Sequence, residues 1–423
     1  MPTFFVPTAL LPTGWANNVR ITTADGTITT VHSDAAPDNA THLPGIALPG
    51  MPNLHSHAFQ LGMAGLAERG GDFWSWRTVM YRFLAALTPD DIETIAALAY
   101  MEMLEAGFTA VAEFHHLHHA TDGTPYANPA ELSARIAAAA RQTGIGLTLL
   151  PVFYAHSGFN AAPPAPEQRR FITDLDSYAA LLEAAQHAIA PLQDARLGVA
   201  PHSLRAATAR ELAALVTLAA GRVLHIHVAE QRREVENCLA ATGQRPVEHP
   251  LAGAPIDHRW CAIHATHMTA AETTALATTG AIAGLCPITE ADLGDGIFPA
   301  LAYRDAGGKF GIGTDSNTAI SAPQELRLLE CGQRLTHQAR NVLAPPGIST
   351  GRHLWDQATS GGAQALDRRI GAIAPGYRAD IIILDPALPA LAGRTADAIL
   401  DDLIFAAASP CVTDVLVAGE QVV

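Results

Sequence analysis

Positive charge is scarce in this chain. Lys and Arg together number 26 of 423 residues, against 41 Asp and Glu, for a formal net charge of -15. Such a chain repels phosphate backbones, which argues against general nucleic-acid binding. Lysine is nearly missing, and Lys309 is the only one. The five cysteines (Cys238, Cys261, Cys286, Cys331 and Cys411) are odd in number, scattered, and include no CxxC pair. That pattern suits reduced thiols in a cytoplasm better than a disulfide framework. No apolar run is long enough to span a bilayer. The opening stretch MPTFFVPTALLPTGW lacks a basic region, and three prolines break it, so it does not read as a signal peptide.

What is present is ample apolar material. The chain is 49% hydrophobic and 16% charged, enough for a barrel domain plus a smaller one and unlike a disordered chain. From residue 46 onward, short apolar runs alternate with helical patterns. GIALPGMPNLH is followed by TPDDIETIAALAYMEMLEAG, and FTAVAEFHH by NPAELSARIAAAARQTG. Thr88 fits an N-cap, Pro89 the first helical position and Gly107 the C′ position. Eight strand–helix units follow one another this way, ending with KFGIGTDS and APQELRLLECGQRL. Alternation of this kind predicts a parallel sheet, and eight units predict a closed (β/α)₈ TIM-type barrel over residues 46–370. A doubly wound open sheet usually has fewer strands and a Gly-rich phosphate turn after the first; histidines stand there instead. Residues 1–45 and 371–423 read as β without helical spacing, predicting a small β-sandwich built from both termini.

In such a barrel the chemistry sits where strands end. The first strand ends with His55 and His57, then Gln60. The second gives Glu113, His115 and His116; the fourth His202 and Arg205; the fifth His225, His227 and Glu230. The sixth gives His264 and His267, the seventh Thr289 and Glu290, and the eighth Asp315. His55 and His57 have strand spacing and share a face. Any one histidine is more often a hydrogen-bonded core or surface residue than a ligand. The set at the ends of strands one, five and eight is harder to dismiss: His55, His57, His227 and Asp315 make an N₃O site. Its donors suit one Zn²⁺ per chain, with Fe²⁺ chemically possible. A metal there lowers the pKa of water toward about 7.

Glu230 follows a ligand strand, where a carboxylate can shuttle protons. Its plain alternative is an exposed acid opening the next helix. His264 could orient water or polarise the reacting C–N centre, and His267 reads as loop structure. Two-metal barrel hydrolases commonly bridge their ions with a carboxylated lysine at the end of strand four. Here that strand ends APHSL, and Lys309 begins strand eight at the opposite end of the barrel. A lysine-bridged centre is therefore excluded.

PGMPNLHSH, HVAE, IHATH, GTDSN and IAPGYRADIIILD together resemble the amidohydrolase superfamily in its mononuclear deaminase branch. FWSWRTVMYRF, MLEAGFTAVAEFHHLHH, GVAPHSLRA and CPITEADLGDGIFPA narrow the likeness to formimidoylglutamate deiminases. The resemblance implies zinc-dependent hydrolysis of N-formimino-L-glutamate to N-formyl-L-glutamate and ammonia, in histidine degradation, by a homodimer. It assigns the metal to His55, His57, His227 and Asp315, and catalysis to Glu230, His264 and Asp315. It points to Gln60, Arg82, His202 and Arg205 for substrate, with His116 where the family has a tyrosine. The arginines fit independently, since a planar guanidinium binds carboxylate with two hydrogen bonds. Arg77 and Arg82 lie in an aromatic-rich segment that could form a lid. Two other readings share the barrel. One is a deaminase of a purine, pterin or other ring amidine. The other is a non-catalytic binding protein, which would more naturally have lost a ligand or the Glu.

Overall fold

The ends of the helices show how local sequence sets the framework. Thr88 caps the helix Pro89–Glu105: its hydroxyl accepts from Asp91 N–H at 3.2 Å, and its own N–H donates to Asp91 at 2.9 Å. Gly107 then takes a φ of +88°, a left-handed conformation that a Cβ disfavours. Thr208 with Glu211 and Thr269 with Glu272 repeat the reciprocal capping on helices Ala209–Ala219 and Ala270–Thr278. Each such cap is worth about 1 kcal/mol.

These helices alternate with parallel strands in a computed structural model that describes all residues except 69, 70, 72 and 409. The barrel strands are Met51–Ser56, Phe108–His115, Gly146–Phe153, the broken pair Arg196–Leu197 and Ala200–Pro201, Leu224–Val228, Trp260–His264, Ile282–Leu285 and Lys309–Ile312. They form two hydrogen-bonded runs. Parallel bridges join the runs at Val199–Leu224, Ser203–His227 and Ser56–Asp315, closing the ring. Leu54, Ala112, Phe114, Val152, Ile263 and Cys286 fill its interior. A larger apolar cluster packs helices around the outside. The barrel expected from eight repeated units is the observed fold.

Several details differ from the sequence reading. GIALPGMPNLH is two strands, not one. Ile46–Pro49 pairs with Thr3–Leu11 and Ile381–Leu384, while Met51–Ser56 pairs with Phe108–His115. The change of partners falls at Gly50, where a Cβ would lie 2.3 Å from Thr109. The aromatic-rich segment forms its own helix, Phe73–Leu84, before the expected one. The C-terminal stretch is not all β: Ala398–Phe405 is a helix burying Ile399, Leu400, Leu403 and Ile404.

The strands contributed by both termini form one continuous eight-stranded sheet rather than two hydrogen-bonded separately. It curls on itself. The N–H of Ile28 donates to Tyr377 O at 2.8 Å, and Ile28 shares one apolar cluster with Leu416 from the far side of the strand order. Among the described residues no helix is long and apolar enough to cross a membrane.

Candidate active site

Strands one and eight are zipped together at their C-terminal ends by backbone and amide bonds. Asp315 N–H donates to His55 O, and His57 N–H donates to Asp315 O, each at 2.9 Å. Asn53 donates to Thr314 Oγ1 at 2.7 Å and accepts from Thr314 N–H at 3.1 Å. Asn317 Nδ2 reaches Ser56 Oγ, His57 O and Asp315 O at 3.1–3.2 Å. This lattice brings together two segments far apart in the chain and fixes the directions of three side chains.

The ligand atoms of His55, His57, His227 and Asp315 all lie within 4.8 Å of one another, and all four residues are buried. His55 and His227 set their Nε2 atoms 3.1 Å apart. His55 and His57 each place Nε2 3.4 Å from Asp315 Oδ1. Tetrahedral Zn²⁺ with bonds of about 2.0–2.1 Å needs ligand separations of about 3.3 Å. Outer partners support the same use. His57 Nδ1 bonds Phe114 O at 2.9 Å and His227 Nδ1 bonds His202 O at 3.0 Å, so each ring carries its proton on Nδ1 and leaves Nε2 with a lone pair. Burial pushes the His55 pKa down to about 3 and lowers those of His57 and His227, keeping the imidazoles neutral. Three converging lone pairs and a carboxylate are the donor set of a divalent cation.

Beside this cluster sits a web of acids. Glu230 Oε1 is 3.9 Å from His264 Nε2, and Asp315 Oδ2 is 3.7 Å from the same nitrogen. The other His264 nitrogen bonds Glu290 Oε1 at 3.2 Å. Burial works to lower the His264 pKa, but Glu230, Glu290 and Asp315 outweigh it and hold it at about 10. Burial raises the Glu230 pKa, against the pull of His264 and Arg205. Burial opposes ionisation of Asp315 too, yet His55, His57 and His264 hold its pKa below the ordinary carboxylate range. Ala229, His264, Ala265 and Asp315 all take left-handed φ, between 47° and 66°. Each costs about 1 kcal/mol, so strain collects at the ends of strands five, six and eight.

One cavity joins these groups to the rest of the expected site. Gln60, His116, His202, Arg205, Glu230, His264 and Asp315 line it together with His57 and His227. Gln60 is buried, and its Oε1 has no hydrogen-bond partner among the described residues. His116 packs edge-on to Phe171 with ring centres 4.7 Å apart. Arg205 lies 3.9 Å from Glu230 and 3.8 Å from Glu234. Arg82 is placed elsewhere: it is exposed and absent from the cavity wall. The arginine that helix Phe73–Leu84 turns inward is Arg77. His267 is also outside, with Nε2 on Asp295 O at 2.8 Å.

The remaining wall comes from Trp76, Met80, Tyr81, Tyr154, Phe171, Thr289 and Leu293. Sequence spacing gave no signal for Tyr154 or Phe171, which lie beyond strand three. The position of Glu290 at the end of strand seven was such a signal, and its partner His264 supplies the meaning.

A sequence model of the amidohydrolase family matches residues 46–422. The chain belongs to the amidohydrolase family. Its residues 1–43 match the model described as the N-terminal domain of formimidoylglutamate deiminase HutF. Among curated amidohydrolase relatives, a formimidoylglutamate deiminase of Pseudomonas aeruginosa is 51% identical, over 100% of this chain and 95% of the relative. The crystal structure of an amidohydrolase from Brucella melitensis superposes with a TM-score of 0.95 at 50% identity, covering 100% of this chain and 94% of the other. An atrazine chlorohydrolase from Arthrobacter aurescens, crystallised with zinc, shares the fold at a TM-score of 0.85 and 21% identity, covering 100% and 95%.

Proposed function

We propose that this amidohydrolase converts N-formimino-L-glutamate and water into N-formyl-L-glutamate and ammonia, a step of histidine degradation, with one Zn²⁺ per chain. The observation that carries the reading is one cavity lined by His57, His227 and Asp315 of the four-residue cluster and by two guanidinium groups, Arg77 and Arg205. A dicarboxylate on a protein of net charge -15 needs such local cations. The full-length match to a formimidoylglutamate deiminase supports the same substrate.

The chemistry follows from what each side chain can do. When bound, the ion supplies a Lewis-acid centre that makes water a nucleophile near neutral pH. Glu230, buried between His264 and Arg205, takes a proton from the attacking water and delivers it to the imino nitrogen. His264, held cationic by three carboxylates, donates toward oxygen as negative charge grows on it. Asp315 anchors the first ligand pair and sets its second oxygen 3.7 Å from His264 Nε2, where its charge favours the imidazolium. The formimino carbon gains the oxygen of water. Its imino nitrogen, carrying one hydrogen, leaves with both water protons as ammonia. Arg77 and Arg205 hold the carboxylates, and the open Oε1 of Gln60 accepts an N–H of the substrate. His116 and His202 complete the wall and stay neutral through burial.

Ammonia release from purified protein is the test, comparing N-formimino-L-glutamate with guanine, adenosine and cytosine. Turnover confined to a ring substrate would overturn the proposal. Metal content by plasma mass spectrometry reads the ion, with iron in place of zinc revising only that part. The proposal includes a cytoplasmic setting, supported by five free cysteines, and a homodimer, which sedimentation velocity would check.

A further inference from the structure

Tyr154 presents an arrangement that the reaction so far leaves unused. It is 4% exposed and lines the cavity, its ring centre 4.6 Å from that of His202. Two donors converge on its oxygen. Gln168 Nε2 donates to it at 2.7 Å, and Arg77 Nη2 donates at 3.2 Å. The orientation of the Gln168 amide is settled by the backbone, because Ala165 N–H donates to its Oε1 at 2.8 Å. Gln168 is 1% exposed and stands behind the cavity wall.

A phenol oxygen has two lone pairs and one proton. Here both lone pairs are occupied, so the only thing Tyr154 can still do is donate. No acceptor for that proton exists among the described residues. A buried donor without an acceptor destabilises the site, and a ligand supplying one removes that cost. The surroundings define the acceptor. Arg77 also donates through Nε to Tyr81 Oη at 2.7 Å, and Arg205 is close enough to feel both tyrosines. Two cations and a hydroxyl donor call for an oxygen carrying negative charge.

We propose that Tyr154 donates a hydrogen bond to a substrate carboxylate, and that Gln168 is the positioning residue that forces it to do so. This selects for an anionic group at one end of the substrate, since Arg77 donates to the same phenol oxygen and a negative charge gains from the guanidinium beside it. It rests on the dicarboxylate reading above and refines it. Arg77 fixes the charge that is bound; the Gln168–Tyr154 pair fixes the direction from which it is approached.

The test compares wild type with Tyr154→Phe, Gln168→Leu and the double variant, each checked for metal content and melting temperature. Substrates are N-formimino-L-glutamate and two analogues, one lacking the α-carboxylate and one lacking the γ-carboxylate. Tyr154→Phe is expected to raise KM for the full substrate ~10-fold or more with kcat within ~3-fold, the loss of one hydrogen bond to a charged group. With one of the two analogues, the one missing the carboxylate Tyr154 binds, KM should not change. Gln168→Leu should raise KM ~3–10-fold alone and add nothing in the Tyr154→Phe background. A KM rise equal for all three substrates, a fall in kcat alone, or a Gln168 effect that persists without the Tyr154 hydroxyl would overturn the proposal. Calorimetric binding of glutarate reads the same contact without turnover. A wild type that binds glutarate through Tyr154 but releases no ammonia would sink the activity and leave the clamp standing.

Discussion

The metal cluster and the arginine-bearing wall of the same cavity are built from different materials. Metal ligands stand on the ends of barrel strands one, five and eight, and the amide lattice of Asn53, Thr314 and Asn317 fixes the pair His55 and His57 against Asp315. Arg77 and Tyr81 stand on helix Phe73–Leu84, and Tyr154 and Phe171 lie in the connection after strand three. A buried side chain holds the end of that helix. Arg170 donates to Leu84 O and Leu87 O at its end and to His119 O beyond strand two. Hydrogen bonding within a rigid sheet aims the first group, whereas tertiary contacts of a helix and a loop aim the second. Reaction chemistry needs fixed ångström-scale geometry, which strands give. Recognition of one substrate among many can be carried by segments that vary while the barrel stays constant.

The contrast can be broken most forcefully at a ligand. His227→Ala should lose its metal and lower kcat/KM by ~10³-fold or more, because it removes one of the four converging donors; a variant that retains a full metal equivalent and its rate would remove His227 from the cluster. Glu230→Gln should keep the metal yet lose ~10²–10⁴-fold in kcat, the range for a positioned acid–base group. Undiminished ammonia release would end the proton-shuttle role. On the recognition side, Arg77→Met should raise KM ~10–100-fold with kcat nearly intact, while Arg82→Met stays within ~2-fold. Equal effects at the two positions would contradict the helix facing seen here.

The smallest effect on turnover is expected at Glu113, which ties the HSH turn to strand two through Ala58 N–H at 2.8 Å. Burial raises its pKa from 4.5 to about 8. A carboxyl with a folded pKa above its unfolded one contributes stability that is complete below about pH 4.5 and is lost as pH rises through 8. Glu113→Gln has no such loss, so its melting temperature should gain on wild type between pH 5 and 8.5, by about 2–4 °C for each kcal/mol. A gap that stays flat across that range in scanning calorimetry would show that Glu113 does not titrate there.

The same contrast explains what could be read from the residues alone. His55 and His57 are legible because i and i+2 on a strand share a face, and His227, Glu230 and Asp315 because they close apolar runs. Helix caps such as Thr88 and Thr208 are legible because their bonds are local. Arg82 was misplaced because the helical phase of residues 73–84 cannot be set without knowing what packs on it. Five residues advance a helix by about 140°, enough to turn Arg77 inward and Arg82 out. Tyr154 and Gln168 carry no local pattern at all, for their meaning lies in contacts with Arg77 and Ala165 across a loop. The partner exchange at Gly50 was hidden in the same way, inside a run that looks uniformly apolar.

The left-handed backbone at Ala229, His264, Ala265 and Asp315 has a consequence for how this protein can change. Those residues hold Glu230, His264 and the last ligand in place at a cost to the fold. Glycine at Ala229 or Ala265 would relieve the strain, and in a screen for heat resistance alone it would be a welcome substitution. The same relief would loosen the aim of the neighbouring acid and imidazole. Selection for sturdiness and selection for turnover therefore pull on these few positions in opposite directions, and alanine is a compromise between them.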